Sequence, residues 1–175
     1  MSSWWSKAGA MLSLGAIYVS PVTAQTWDSI RQTIRKRFPE VHHLTTQQLA
    51  DWLADTNRRV PVLIDARRPD EFALSHLPGA RHAQSAAAVR SLLISNAQPV
   101  VAYCSVGYRS SALAVKLQQD GITNVFNLEG SIFAWANEGR PIFRNDQELK
   151  PPQVHPYDEK WGQLLKPELR RLTPR

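Results

Sequence analysis

The one cysteine of the chain, Cys104, sits in the stretch AYCSVGYRSSA, where residue types and spacing suit nucleophilic chemistry. A thiol attacks only as thiolate, so its neighbours must lower its pKa through exposed amides, a helix N-terminus or a cation. Residues Ser105 to Arg109 must turn between a strand and a helix, and Gly107 permits the left-handed backbone that aims successive N–H groups inward as an anion-binding nest. Ser110 or Ser111 is placed to cap the helix, and Arg109 can add charge or hydrogen-bond the loop from outside. The competing reading is a small buried hydrophobe at the end of VVAYC, since free cysteine is among the most buried side chains. The order strand, cysteine, glycine turn and capped helix favours the reactive thiol.

Other chemistry-bearing residues are less telling. Asp65 and Arg67 follow an apolar run and could simply tie loops together, and His76 and His82 read as loop or core histidines. His42 and His43 are adjacent and point in different directions, so no metal centre is expected from them. A lone cysteine forms no internal disulfide; Cys104 is free, bridged between chains, or chemically used.

Stepping outward, apolar residues at helical spacing predict a helix over 27–38 that Pro39 ends, rich in arginine and lysine on its outer face. Thr45 with Gln48 three residues on is a capping box for a second helix carrying Leu49, Trp52 and Leu53. Val60 to Ile64 and PVVAYC read as strands buried on both faces, PDEFALSH, AAAVRSLLI and SSALAVKLQQDG as helices, and NVFNLEG with SIFAWANEG as a last strand and helix. Gly121 and Gly139 are helix stops. Strands alternating with helices predict an α/β fold with a parallel sheet covered on both faces, whose site lies at the carboxyl ends of the strands. Asp65, Cys104 and Glu129 all fall there. From Arg144 onward the alternation stops; Pro151, Pro152, Pro156 and Pro167 stand among charged residues, so the tail is either extended or wrapped over the domain, and Tyr157, Trp161, Leu164 and Leu165 can anchor it.

With 175 residues and 43% hydrophobic content, one globular domain is expected. The net charge of +6 is spread along the chain, and aromatics are not interleaved with basic residues, which argues against nucleic-acid recognition. Lys7, the apolar run Ala8 to Val19 and the small residues Val22-Thr23-Ala24 have the layout of a secretory signal peptide cleaved after Ala24. The expected location is a periplasm or the exterior, with no stable membrane span after cleavage; an uncleaved N-terminal anchor is the alternative.

These segments together resemble a single-domain rhodanese. VLIDARRPDEFALSHLPGA is similar to the family's Asp-Val-Arg and Gly-His-Ile-Pro-Gly-Ala signatures, and VVAYCSVGYRSSALAVKLQQDGITNVFNLEGSIFAWANEGRPI follows in the family's order. The resemblance spans Leu44 to Phe143, between a signal and N-terminal helix (1–24 and 25–43) and a tail (144–175). It implies a five-stranded parallel sheet flanked by helices and a sulfurtransferase in which Cys104 carries sulfane sulfur as a covalent persulfide, with no other cofactor. It also implies that the loop Ser105, Val106, Gly107, Tyr108, Arg109 and Ser110 cradles the persulfide, and that Asp65 and Arg67 support loops. His76 matches the signature histidine and is read as structural. Ala66 and Ser75 depart from the signatures without consequence, whereas Ser105 stands where many thiosulfate-using members place a basic residue. Without a second cysteine, the implied acceptor is external: a small thiol, cyanide or a partner protein. Dual-specificity cysteine phosphatases resemble this family but need five residues between cysteine and arginine, and here only four separate Cys104 from Arg109. A non-catalytic binding module, docking through the N-terminal helix or the tail, is the reading from another class.

Overall fold

The computed structural model describes residues 26–172, so the signal-peptide segment lies outside the described residues. Five parallel strands form the sheet in the order β1 (His42–Leu44), β5 (Val125–Leu128), β4 (Val100–Tyr103), β2 (Val62–Asp65), β3 (Arg81–His82). The α/β class and the five-stranded parallel sheet are those expected from the sequence. Strand residues alternate between two apolar layers, as the two-residue period of a pleated strand requires. Leu63, Val101, Tyr103 and Leu128 pack against α1 (Trp27–Arg37), α2 (Thr46–Ala54) and α6 (Ser131–Asn137). Ile64, Val100 and Val125 pack against α4 (Ala86–Leu92) and α5 (Tyr108–Gln119) on the other face.

Several local signals act as their chemistry predicts. Thr45 and Gln48 form a reciprocal capping box at α2, and Gly121, at φ +82, closes α5 through the bond from Ile122 N–H to Leu117 O at 2.9 Å. The helix read from PDEFALSH is shorter, α3 (Pro69–Leu74), because Ser75 turns to extended backbone and His76 bridges to Phe143. Strands β1 and β3 emerge at the sheet edges from short segments of three and two residues; β1 crosses the boundary drawn at Leu44.

The segment after Arg144 does not hang free. A hairpin of β6 (Phe143–Arg144) and β7 (Gln147–Glu148) leads to α7 (Glu159–Gly162) and a 3₁₀ turn (Pro167–Leu169). Val154, Leu165 and Leu169 are buried in the same apolar layer as α1 and α6. Val154 pairs with the chain near Arg170, its N–H donating to Leu169 O at 2.7 Å, while Asn137 clamps the segment through Leu164 O at 2.7 Å and Lys166 N–H at 2.9 Å. The tail is thereby a closed strap across the carboxyl end of the sheet.

Candidate active site

Strand β4 delivers Cys104 to the centre of that carboxyl end, and two neighbouring segments lock it. The β5–α6 turn supplies the Ser131 hydroxyl, which accepts from Cys104 N–H at 3.1 Å, while the first amides of α6, Ile132 and Phe133, donate to the carbonyls of Cys104 and Ser105 at 3.2 Å. Gly130, at φ +68, starts α6 where any added Cβ would collide with that of Ala134 in the helix's own first turn, so the tight turn from β5 needs glycine.

Gly107 does what its position promised. At φ +114 it is the residue before α5, and its N–H donates to Cys104 Sγ at 3.2 Å. The serine caps expected for this helix are not caps. Helix α5 begins at Tyr108 after Gly107 with no side-chain cap, and the Gly107 and Ser110 amides act on the thiol instead. Ser110 instead donates to Asn127 Oδ1 at 2.6 Å, and Ser111 bonds back to Gly107 O at 2.7 Å. Asn127 in turn meets His43 Nδ1 at 3.1 Å, so the floor of the loop is tied to β5 and β1.

Burial alone would push the Cys104 thiol up. The Arg109 charge, the Ser110 side chain and the amides of Ser110 and Gly107 outweigh it and hold the thiol below the ordinary cysteine range. Ser105, Val106, Tyr108 and Arg109 line the mouth of the loop above Sγ.

Arg109 does not point freely into that mouth. Its guanidinium forks onto the buried carboxylate of Glu71 at 2.9 and 3.0 Å and also reaches the Ser105 hydroxyl at 2.9 Å. Glu71, unremarked in the sequence, is the residue that positions it. The only sequence signal was its place in the first turn of a proline-initiated helix, where an acid is favoured anyway.

Asp65 and Arg67 form a fully buried bidentate pair, the closest contact 2.7 Å, and Arg67 also donates to Ser75 O. With the Tyr103 hydroxyl accepting from Leu77 N–H at 3.1 Å, the pair fixes the turn after α3 rather than touching the cysteine loop. His76 Nδ1 donates to Leu77 O at 2.9 Å and the ring stacks on Phe72, consistent with a structural histidine. Glu129 lies at a strand end as expected, but it pairs with Arg35 of α1 at 2.6 Å and not with the thiol. Among the described residues no cluster of three or more histidine, cysteine, aspartate or glutamate side chains could hold a metal.

Above Cys104 opens a pocket of about 140 Å³ lined by Ser105, Val106, Tyr108 and Arg109 and, from the strap, by Tyr157 and Trp161. Tyr157 stands over the Arg109 guanidinium at 4.8 Å. A free thiol on a strand end, beneath helix-N-terminal amides and open to a small pocket, is the arrangement of a sulfur- or phosphoryl-accepting cysteine loop.

The chain belongs to the rhodanese-like domain family, whose model matches residues 45–138. It is 36% identical over 103 residues to a protein of Allochromatium vinosum described as a sulfurtransferase, covering 58% of this chain and 94% of that one. Thiosulfate sulfurtransferase GlpE of Pseudomonas paraeruginosa is 30% identical over 74 residues, 42% of this chain and 67% of its own. Among solved structures, a thiosulfate sulfurtransferase from Pseudomonas aeruginosa shares the fold with a TM-score of 0.57 at 22% identity, over 65% of this chain and 22% of that one. Tyr157 and Trp161 lie beyond the residues matched by the family model.

Proposed function

We propose that the protein is a sulfurtransferase that carries sulfane sulfur on Cys104. The observation that carries this reading is the thiol itself: buried, below its ordinary pKa range, bonded by the Gly107 N–H at 3.2 Å, and facing a pocket. The Cys104 thiolate attacks the outer sulfur of a donor; the donor's S–S bond breaks and its electron pair leaves with the remainder, which is sulfite when the donor is thiosulfate. The persulfide anion left on Cys104 is held by the first-turn amides of α5, whose dipoles are already oriented and need no rearrangement as charge moves outward. An external thiol or cyanide then takes the sulfur and the thiolate returns. Export to a periplasm, read from residues 1–24, belongs to the same proposal, as does docking of a protein acceptor beside α1 or the strap; no described helix is long and apolar enough to cross a membrane.

Steady-state thiocyanate formation from a sulfur donor and cyanide tests the reading. Parallel double-reciprocal lines are expected, with no turnover in Cys104→Ser; turnover surviving that substitution overturns it.

A further inference from the structure

The pocket over Cys104 has a composition that an inorganic dianion does not need. Its walls are the faces or edges of Tyr108, Tyr157 and Trp161 and the side chain of Val106; the polar contributions come from Ser105 and Arg109. Arg109 is the one charged side chain among the described lining residues, and its charge is neutralised by Glu71, whose side chain is fully buried. Thiosulfate brings two negative charges and releases sulfite, which keeps two, into a site whose single cation is already paired. A donor with a carbon body brings one charge on the reacting sulfur group and an apolar portion for the walls.

Size points the same way. The pocket's volume of about 140 Å³ is close to that of an apolar protein cavity of roughly 150 Å³ known to accept benzene. Two of the aromatic walls come from the strap, and the strap is built to hold them. Asp158 caps α7 by accepting from Trp161 N–H at 2.8 Å, His155 Nδ1 accepts from Tyr157 N–H at 3.0 Å, and Gly162 lets Pro156 approach so closely that a Cβ would lie 2.9 Å from the proline ring. Tyr157 itself sits at φ +68, a backbone conformation that a bulky side chain rarely adopts and that here faces its ring to Arg109.

Resting on the sulfurtransferase reading, we propose that Tyr157 and Trp161 form a specificity subsite for the compact apolar body of an organic sulfane-sulfur donor, a thiosulfonate or organic persulfide, in preference to thiosulfate. With a thiosulfonate, the Cys104 thiolate bonds to the outer sulfur, the S–S bond breaks, and its electron pair leaves on a sulfinate monoanion. The two negative charges present before the step are present after it, one on the persulfide and one on the sulfinate.

The test compares benzenethiosulfonate, methanethiosulfonate and thiosulfate as donors to the full chain, to Tyr157→Ala and to Trp161→Ala. A second readout is the rate at which Cys104 is alkylated by N-benzyliodoacetamide relative to iodoacetamide, which needs no sulfur transfer. Burial of a ring against these walls predicts about tenfold higher kcat/KM for the benzene than for the methane compound, each corrected for its reactivity with a free thiol. Thiosulfate should be poorer than both, and the aromatic preference should shrink at least threefold in either variant in both readouts. Equal use of the two thiosulfonates by the native chain, or a preference untouched by both substitutions, overturns the subsite. Failure of every donor to load Cys104 while the alkylation preference holds overturns the donor assignment together with the proposed function, and leaves a ring-binding pocket of another purpose.

Discussion

Arg109 reaches back 38 residues to Glu71, with Nη1 2.9 Å from one carboxylate oxygen and Nη2 3.0 Å from the other, and in that pose its edge, not its full charge, is offered to the Cys104 pocket. The pair serves two ends at once. It places a cation near enough to favour the thiolate, and it cancels enough of that cation to leave the pocket nearly neutral.

Replacing the cation separates these roles. In Arg109→Met the strongest influence favouring the thiolate is gone while burial still opposes it, so the Cys104 pKa rises. The acid limb of the alkylation-rate profile with iodoacetamide should move to higher pH. A profile that stays in place would mean that the amides of Gly107 and Ser110 set the thiol unaided.

Glu71→Gln should act in the opposite sense on the thiol and against the fold. With its counter-charge removed, Arg109 lowers the Cys104 pKa further and admits thiosulfate more readily, so the ratio of thiosulfate to methanethiosulfonate turnover rises. The folded chain holds the Glu71 carboxyl below its usual range, burial notwithstanding, because Arg109 and the Arg68 amide bond it. An acid shifted downward stabilises the fold at pH above its unfolded-state value, and that contribution disappears as pH falls through the folded-state value. The variant should therefore lose about 1–3 kcal/mol at neutral pH and progressively less in acid, as urea midpoints across pH would show.

The Asp65–Arg67 pair carries a different expectation, because neither side chain is exposed at all. Asp65→Asn strands a buried guanidinium and should cost about 3–5 kcal/mol. The loss is one of stability and not of thiol chemistry: at a temperature where the variant remains folded, the pH profile of Cys104 alkylation should match the native one. A shifted profile would show that the pair reaches the cysteine loop after all.

The sheet and the nucleophile were legible in the sequence because each rests on local, repeated signals. Val62–Asp65 and Val100–Tyr103 are apolar on both faces, as only central parallel strands are, and Gly107 follows Cys104 at the spacing a turn into a helix needs. What stayed hidden depends on distant partners. Ser110 looks like a helix cap until Asn127 is brought beneath it, and Glu71 looks like an ordinary first-turn acid until Arg109 arrives from the first turn of α5. The strap was legible only as a tail able to wrap over the domain. Of the four residues expected to anchor it, Leu165 is in the core and Trp161 and Leu164 pack against it, while Tyr157 stays partly exposed over Arg109; Tyr157 and Trp161 also wall the pocket, and no periodicity in a proline-interrupted segment can announce which side its rings will face. The edge strands β1 and β3 were missed for a simpler reason: segments of two or three residues, His42–Leu44 and Arg81–His82, are too short to show an apolar pattern.

The most direct test of the account is the intact mass of the protein after exposure to benzenethiosulfonate and, separately, to thiosulfate, each with and without subsequent cyanide. A gain of about 32 Da, one sulfur atom, that maps to Cys104 and is removed by cyanide is the predicted result, with the organic donor loading at the lower concentration. No gain with either donor, from a Cys104 that still reacts rapidly with iodoacetamide, would contradict the claim that this thiol carries sulfur.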